Sequence, residues 1–544
     1  MLRGEFLSAS TFAVGLAAPA IGSAANLQSA KSILDYGARS DGRTLNTTAI
    51  QRAIDAAFEA GGGLVYAPPG TYLIGGLELK SRVTLYLEAG CILLGSTSMN
   101  DYTHCPGPPE WGDANGHHLI YARKAEDVTL CGPGAIDGQG QAFYHRIQRS
   151  TVPPEDFWKD CTAFNYAPEK HRPSPMLEFA ECRNVRISGV TLRNSAGWML
   201  RPIACETVVI DGVRIRNPYH GCNTDGIDIT ASRNVMVCNC DIQVGDDAIC
   251  LKSENPYGDL LPTKNITVTN CVISTECNAF KMGTATHGAF ENIVFSNSVI
   301  YNEDSSPLNE RVIGGICVEM VDGGSVDGVV ISNIRMKNVR TPVFVRMGNR
   351  TERPGSFLRN VLIEGIDATG AILTNSITGI AELRPNDITV SNCRFRTVEA
   401  GRAEWIGRAI PEVSSQYPEA RMMGRLPAYG FFVRHADRIR LRDIELIADK
   451  PDERPAVVCD DVDDIVISAL VASAPVGRTP LFHLKNTRRA FLTGMRAPAD
   501  VATFAQVSGA DSSGIALAGN HIGSKQQAVL YSDGATADSA GDRE

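Results

Sequence analysis

After its first 25 residues the 544-residue chain has no apolar run approaching the length of a membrane-spanning helix, so no helical membrane span is expected. It also lacks an excess of positive charge. Lys and Arg number 52 against 61 Asp and Glu, a formal net charge of -9, and a nucleic-acid partner needs the opposite balance. An anionic polymer would need a locally basic cleft. Tight Cys-Cys or Cys-His zinc spacings are missing as well. The 15 cysteines are an odd count in a chain far too large to need stapling, so no disulfide framework is read from them. Cys182, Cys240, Cys271 and Cys393 fall beside a recurring Asn-Val step or its equivalent, where a small apolar side chain would stack inside a core. With 43% hydrophobic and 21% charged residues, the rest is a globular composition with material for a long core.

Residues 1–25 have the order of a secretory signal peptide. Arg3 precedes Phe6 and Leu7, an apolar run extends from Thr11 to Ile21, and the small residues Gly22, Ser23, Ala24 and Ala25 follow. Export to the periplasm or extracellular space is the expectation. The stretch Arg3-Gly4-Glu5-Phe6-Leu7 also resembles a twin-arginine signal with Gly4 for its second Arg, which leaves the export route open. Length alone suggests three or four domains, but internal repeats override that prior, and one domain is expected over residues 26–523. Residues 524–544, rich in Ser, Ala, Gly and Asp, read as a flexible tail.

A helix is expected from about Thr47 to Ala60, with Asn46 as N-cap, an apolar stripe of Ile50, Ala53, Ile54 and Ala57, and Gly61 to Gly63 as the stop. Short strands near residues 64–67, 72–74, 83–87 and 92–94 follow it. One amphipathic helix feeding such strands suits the covered end of a solenoid. From Asn184 onward a phrase recurs, Asn-Val/Ile-x-Ile/Val, a turn, then an apolar strand. It stands at Asn184, Asn234, Asn265, Asn292 and Asn360, with degenerate forms at Thr207, Gly328, Asp387, Arg438 and Asp464. Short alternating strands at that spacing describe an all-β chain wound as a right-handed parallel β-helix with a short N-terminal capping helix. The longer period and blade signatures of a propeller are not seen.

Insertions near 101–175 and 399–429 break the rhythm and are expected to wall a groove on one face. The first carries Tyr102, Trp111, His117, His118, Phe157, Trp158 and Tyr166. Adjacent His117 and His118 point apart and read as ordinary loop residues rather than metal ligands.

Asn223-Thr224-Asp225-Gly226 precedes Gly245-Asp246-Asp247 by about one coil, since Asp225 and Asp246 are 21 residues apart. Three carboxylates would then share one patch on neighbouring rungs. In a regular strand Asp246 and Asp247 would face opposite ways, so Gly245 is expected to bend the chain and turn both outward. Such a cluster cannot ionise fully, so one acid should keep a proton while the others stay anionic. That pairing equips glycoside hydrolysis, and acids on adjacent rungs suit the wider, inverting separation of roughly 6.5 to 9.5 Å. A structural Asn/Asp turn ladder is the plainer alternative.

Those motifs, with Asn194-Ser195 and Trp198 on the coil before, resemble glycoside hydrolase family 28, the polygalacturonase family, over about Leu34 to Asn297. Ile410-Pro411-Glu412 through Tyr417-Pro418 to Leu426-Pro427-Ala428-Tyr429-Gly430 resembles its large bacterial members. The resemblance implies a pectin-lyase-like β-helix and an inverting enzyme without metal or other cofactor. It makes Asp246 the general acid and Asp225 and Asp247 the bases. Two motifs depart from the family. Asn278 stands where a Gly-His-Gly histidine is expected, and Cys317-Val318-Glu319 replaces the Arg-Ile-Lys motif that grips the galacturonate carboxylate. Lys281, Lys252 and, if its loop folds back, His287 are candidates to replace those cations, though each Lys read alone is a solvated surface charge and His287 a turn residue. With Asn223 and Asn278 they complete the expected substrate-binding set. The expectation is a monomeric glycosidase acting on a pectin-type polysaccharide, exo-acting or rhamnogalacturonan-directed. A polysaccharide lyase on the same scaffold and a non-catalytic carbohydrate-binding β-helix remain as alternatives.

Overall fold

The computed structural model describes residues 30–105, 116–146, 166–302 and 312–542. The leader-like segment 1–25 and Trp111, Phe157 and Trp158 lie outside the described residues.

The recurring Asn-Val step is a corner. Its first residue takes a left-handed backbone each time: φ is 56° at Asn184, 62° at Thr207, 58° at Asn234, 55° at Asn265, 56° at Asn292 and 81° at Gly328. The pattern continues at Asn360 (57°), Asp387 (56°), Arg438 (51°) and Asp464 (57°). Asn and Gly reach this region at low cost, which is why they recur there. The next residue points inward, and these side chains stack in one column, Val185 on Val208, Val235, Ile266, Ile293, Val329, Val361, Ile388, Ile439 and Ile465. Each such burial contributes about 1.5–3 kcal/mol. Outside the barrel the Asn amides join rung to rung, as in Asn265 Nδ2 to Asn234 Oδ1 at 2.9 Å and Asn292 Nδ2 to Asn265 Oδ1 at 3.0 Å.

A coil consists of three strands, for example Leu177–Ala180, Arg183–Ser188 and Thr191–Arg193, each parallel to its counterpart in the next coil. The architecture is all-β, a right-handed parallel β-helix. The cysteines of the described residues are free thiols, and Cys182, Cys240, Cys271 and Cys393 are buried in the wall as expected.

Helix α1 (Thr47–Glu59) closes the N-terminal end, burying Ile50, Ala53, Ile54 and Ala57. Asn46 stands at the N-cap position but does not cap the helix with its side chain. At φ -103° and ψ 1° its backbone is not extended, and its amide instead pins the preceding loop, with Oδ1 accepting from Arg39 N at 2.6 Å and Nδ2 donating to Thr44 O at 2.6 Å. At the other end the expected tail is structured. Gln527–Ser532 pairs in parallel with Thr503–Ser508, and Ala540–Asp542 pairs with Ile515–Ala518, so the solenoid continues to residue 542. Apolar Val529 and Tyr531 pack on the core there, outweighing the polar composition.

The sheet that positions the site comprises β1 (Ile120–Arg123), β2 (Leu177–Ala180), β3 (Leu200–Ile203), β4 (Ile227–Thr230), β5 (Ile249–Ser253), β6 (Asn278–Thr286), β7 (Val312–Met320) and β8 (Val339–Met347), stacked in that order. Its inner face is apolar, with Phe280 of β6 stacked on Phe295 at 4.5 Å between ring centroids. Its outer face is polar and buried: Asp228, Cys250, Lys281 and Cys317 form one register ladder across β4 to β7. Burying charge on a sheet face costs stability unless it is paired, which directs attention to that face.

Candidate active site

The acids lie at the corner that enters this sheet. Met199 N donates to Asp225 O at 2.9 Å, Gly226 N to Asp247 O at 2.9 Å and Ala248 N to Asn278 O at 2.8 Å, so Asp225, Asp247 and Asn278 hold the same place on three successive rungs. One coil here is therefore 22 residues, and Asp246, 21 residues after Asp225, stands one residue before the aligned position. Asp246 and Asp247 sit in the break between Asp241–Val244 and β5 rather than within a strand, which frees both from strict alternation. Gly245 serves this break by close approach. A Cβ there would stand 2.5 Å from Gly221 O and 2.8 Å from Tyr219 O. Thr224 locks the two turns together, its Oγ1 accepting from Gly245 N at 3.1 Å and donating to Gly221 O at 2.8 Å. Asn217 braces the same turn through Ser195, accepting from its N–H at 2.9 Å.

Asp225 and Asp247 are each 4% exposed and Asp246 is half-buried. Burial, then repulsion by Asp247, raises the Asp246 carboxyl to about 7. Burial acts on Asp247 too, but Lys281, Lys252 and the Asn278 amide outweigh it and hold this carboxyl below its usual value. The contacts are direct: Lys281 Nζ is 3.0 Å from Asp247 Oδ2, and Asn278 Nδ2 donates to Asp247 Oδ1 at 2.8 Å. Asp225 departs from the expectation of a second firm anion. Burial, together with Asp228, Asp246 and Asp247, pushes it well above the carboxylate range, and its Oδ1 has no hydrogen-bond partner. Four carboxylates share Lys252 and Lys281 here, with Arg201 acting on Asp228 from farther off, so protons remain on the least compensated acids.

Both lysines are buried rather than solvated. Lys281 is 1% exposed and also donates to Tyr417 Oη at 3.0 Å. Lys252 lies 3.3 Å from Asp228 Oδ1, 3.2 Å from Cys250 Sγ and 5.0 Å above the Trp198 ring. Asn223 is exposed at the rim with φ 52°. His287 does not fold back onto the acids; its Nε2 pairs with Glu254 Oε2 at 2.9 Å, and that contact raises its pKa. His117 and His118 separate as expected. His117 packs edge-on to His104, while His118 is buried with Nδ1 donating to Pro175 O at 2.8 Å. Among the described residues, the side chains close enough to share a cation are Asp246, Asp247 and Cys277, with ligand atoms within 4.8 Å of one another. The Lys281 ammonium already serves Asp247 there, which makes the donor set a poor one for a metal.

Sequence reasoning missed three participants. Asp228 was readable in principle, as the acid of an Ile-Asp-Ile alternation whose neighbours face the core. Tyr417 and Glu419 were not, because they reach the site from the insertion at 399–429. Tyr417 covers Lys281, and Asn278 Nδ2 lies 3.4 Å from Glu419 Oε1. The same insertion is anchored by Arg346 Nη2 to Glu412 O at 2.6 Å and Asn349 N to Ser414 O at 2.7 Å, so it lies over the rungs that follow the acids.

A polar outer face on a right-handed parallel β-helix, with a proton-holding acid beside a lysine-held carboxylate, defines a solenoid equipped for acid–base chemistry. The profile of the glycosyl hydrolases family 28 matches residues 109–394, more than half of the chain, and the chain belongs to that family and is a glycosidase. Residues 30–151 match a second profile, described as rhamnogalacturonase A/epimerase, pectate lyase-like. A probable polygalacturonase of Vitis vinifera is 26% identical over 406 residues, covering 71% of this chain and 78% of that protein. An exo-poly-alpha-D-galacturonosidase of Dickeya chrysanthemi is 28% identical over 341 residues, 57% of this chain, which spans only 55% of that protein's length. The exopolygalacturonase structure from Thermotoga maritima has the same fold, with a TM-score of 0.55 and 24% identity over 68% of this chain and 89% of that one.

Proposed function

We propose that this glycosidase hydrolyses a pectin-type polysaccharide with inversion at the anomeric carbon, as the family resemblance implies. The separation expected for inversion does not carry this, since oxygens of Asp246 and Asp247 lie within 4.8 Å of each other rather than roughly 6.5 to 9.5 Å. Its polygalacturonase relatives support the substrate class. The observation that carries the chemistry is the pair Asp246 and Asp247, adjacent in the chain yet shifted in opposite directions. Environments that separate two acids in this way assign their roles. Asp246, protonated up to about 7, gives its proton to the leaving oxygen. Asp247, held anionic by Lys281, polarises the attacking water and takes up its proton, while Asp225, which keeps a proton of its own, orients that water from the neighbouring rung. The inserted segment supports cleavage from a chain end, because Tyr417, Glu419 and Glu412 lie over the rungs just beyond the acids. The leader-like pattern at residues 1–25 supports export, as a polymeric substrate requires.

The test is reducing-end release from a panel of pectic polysaccharides, with Asp246→Asn as the blank and the anomer of the first product read by NMR. Release of sugar units one or two at a time, of opposite anomeric configuration, is expected. An ultraviolet-absorbing unsaturated product that disappears with chelator would replace hydrolysis by elimination. Glycan binding retained by both proteins with no release from either would leave a binding module.

A further inference from the structure

Among the described residues, the cations around the covered end of the site each face an acceptor of the protein's own. Lys281 is held by Asp247 and Tyr417, each at 3.0 Å. Arg350, whose guanidinium lies 5.6 Å from the Tyr417 ring centroid, is bound in a fork by Asp322 at 2.7 and 3.0 Å. Arg346, beside Glu319 in the β7–β8 register, donates to Gly379 O at 2.8 Å and Glu412 O at 2.6 Å. Arg421 is the least committed, paired with Glu419 at 3.5 Å but with its buried Nη1 not hydrogen-bonded. Against these committed cations stands Glu319, 1% exposed, with neither carboxyl oxygen hydrogen-bonded. It packs so closely on β6 that a Cβ at Gly283 would lie 3.0 Å from its Oε2. Above this floor Tyr417 leaves half of its surface exposed, an aromatic face of the kind on which a sugar ring can lie.

We propose that the closed end of the groove is a subsite for an uncharged sugar unit, and that Glu319 is the residue that bars a uronate from it. The inference rests on the reading of the protein as a pectin hydrolase and names the kind of sugar at one position. A uronate entering here would have to bury its charge beside Asp247, which has already taken the Lys281 ammonium, with no cation offered from the Glu319 position. Burial raises Glu319 itself to about 8 against the pull of Lys281. The burial that keeps a proton on Glu319 would equally penalise an ionised substrate carboxylate placed beside it. An uncharged sugar needs only the Tyr417 face and hydroxyl contacts.

The test compares two oligosaccharides that differ only in the unit at the scissile end, one ending in a uronic acid and one in a neutral sugar. Full-length wild type, Glu319→Lys and Glu419→Gln are assayed for kcat/KM near pH 6, with Asp246→Asn used for binding by calorimetry. Wild type is expected to favour the neutral-ended substrate at least tenfold, and Asp246→Asn to bind it more tightly by a similar factor. Glu319→Lys should narrow or reverse that ratio. If that variant does not fold, Glu419→Gln, at the rim of the inserted segment, should still narrow it severalfold. A wild type that prefers the uronate end, or a ratio that moves in neither variant, overturns the proposal while leaving the pectin reading intact. Hydrolysis of neither substrate, nor of any pectic polymer, overturns both.

Discussion

Replacing Asp246 by Asn should abolish hydrolysis and stabilise the protein, and the stabilisation should depend on pH. In the folded protein Asp246 keeps its proton up to about 7, whereas an Asp carboxyl free in water loses it at 3.8. Between these values the folded state binds more protons than the unfolded chain, so stability falls as pH rises. The loss begins near pH 4 and is complete above about 7. A shift of that size corresponds to at most about 4 kcal/mol; allowing for the half-exposed carboxyl leaves about 2–4 kcal/mol. Asn keeps the shape, can still accept from Asp247 N–H as Asp246 Oδ1 does at 2.9 Å, and carries no charge for Asp247 to repel. For a chain of this length the gain is about 2–4 °C in Tm at pH 8. Calorimetric melts of both proteins at pH 4, 6 and 8 measure it. The expected difference is near zero at pH 4 and grows with pH. An Asn variant no more stable than wild type at pH 8, or an advantage of equal size at all three, refutes the assignment of Asp246 as the buried proton-holding acid.

Wild-type kcat/KM should fall as pH rises through about 7, where Asp246 loses its proton, with the acid limb below the ordinary carboxylate range because Asp247 is depressed; a rate still rising at pH 8 would contradict this. Lys281→Met strands a buried Asp247 carboxylate and is expected to cost about 3–5 kcal/mol in denaturant unfolding and more than 100-fold in kcat, while moving the acid limb upward. Activity within threefold of wild type would show that the pair is structural only. Gly245→Ala drives a methyl onto Gly221 O, so about 1–3 kcal/mol of stability and at least tenfold in kcat should be lost, measured by melts and initial rates. Phe280→Ala empties the space beneath Lys281 and should destabilise by about 3–5 kcal/mol.

The parts legible in the sequence are those set by neighbours one coil away. An Asn whose backbone must turn left-handed leaves its mark at every corner, so the column from Val185 to Ile465 and the rung spacing of Asp225 and Asp247 could be read directly. Charge states were less readable. The expectation of one protonated acid and two anions missed Asp228, whose presence beside Lys252 leaves Asp225 uncompensated. Lys281 and Lys252 look like surface residues in a one-dimensional pattern because outward-facing positions are usually wet. They are dry here because an insertion and Trp198 cover them. Asn46 shows the same limit at small scale, since a capping residue type marks a helix start without fixing where its amide points.

The cover over the site also orders its assembly in time. Lys281 meets Tyr417 across 136 residues and Asn278 meets Glu419 across 141, while the acids depend only on adjoining coils. A solenoid grows by nearest-neighbour addition, and synthesis delivers the N-terminal coils first. The carboxylates are thus stacked before the segment that roofs them has been made. The growing chain passes through a stage with an open acidic trough, and the enclosed end of the groove comes into being only when residues 417–419 dock.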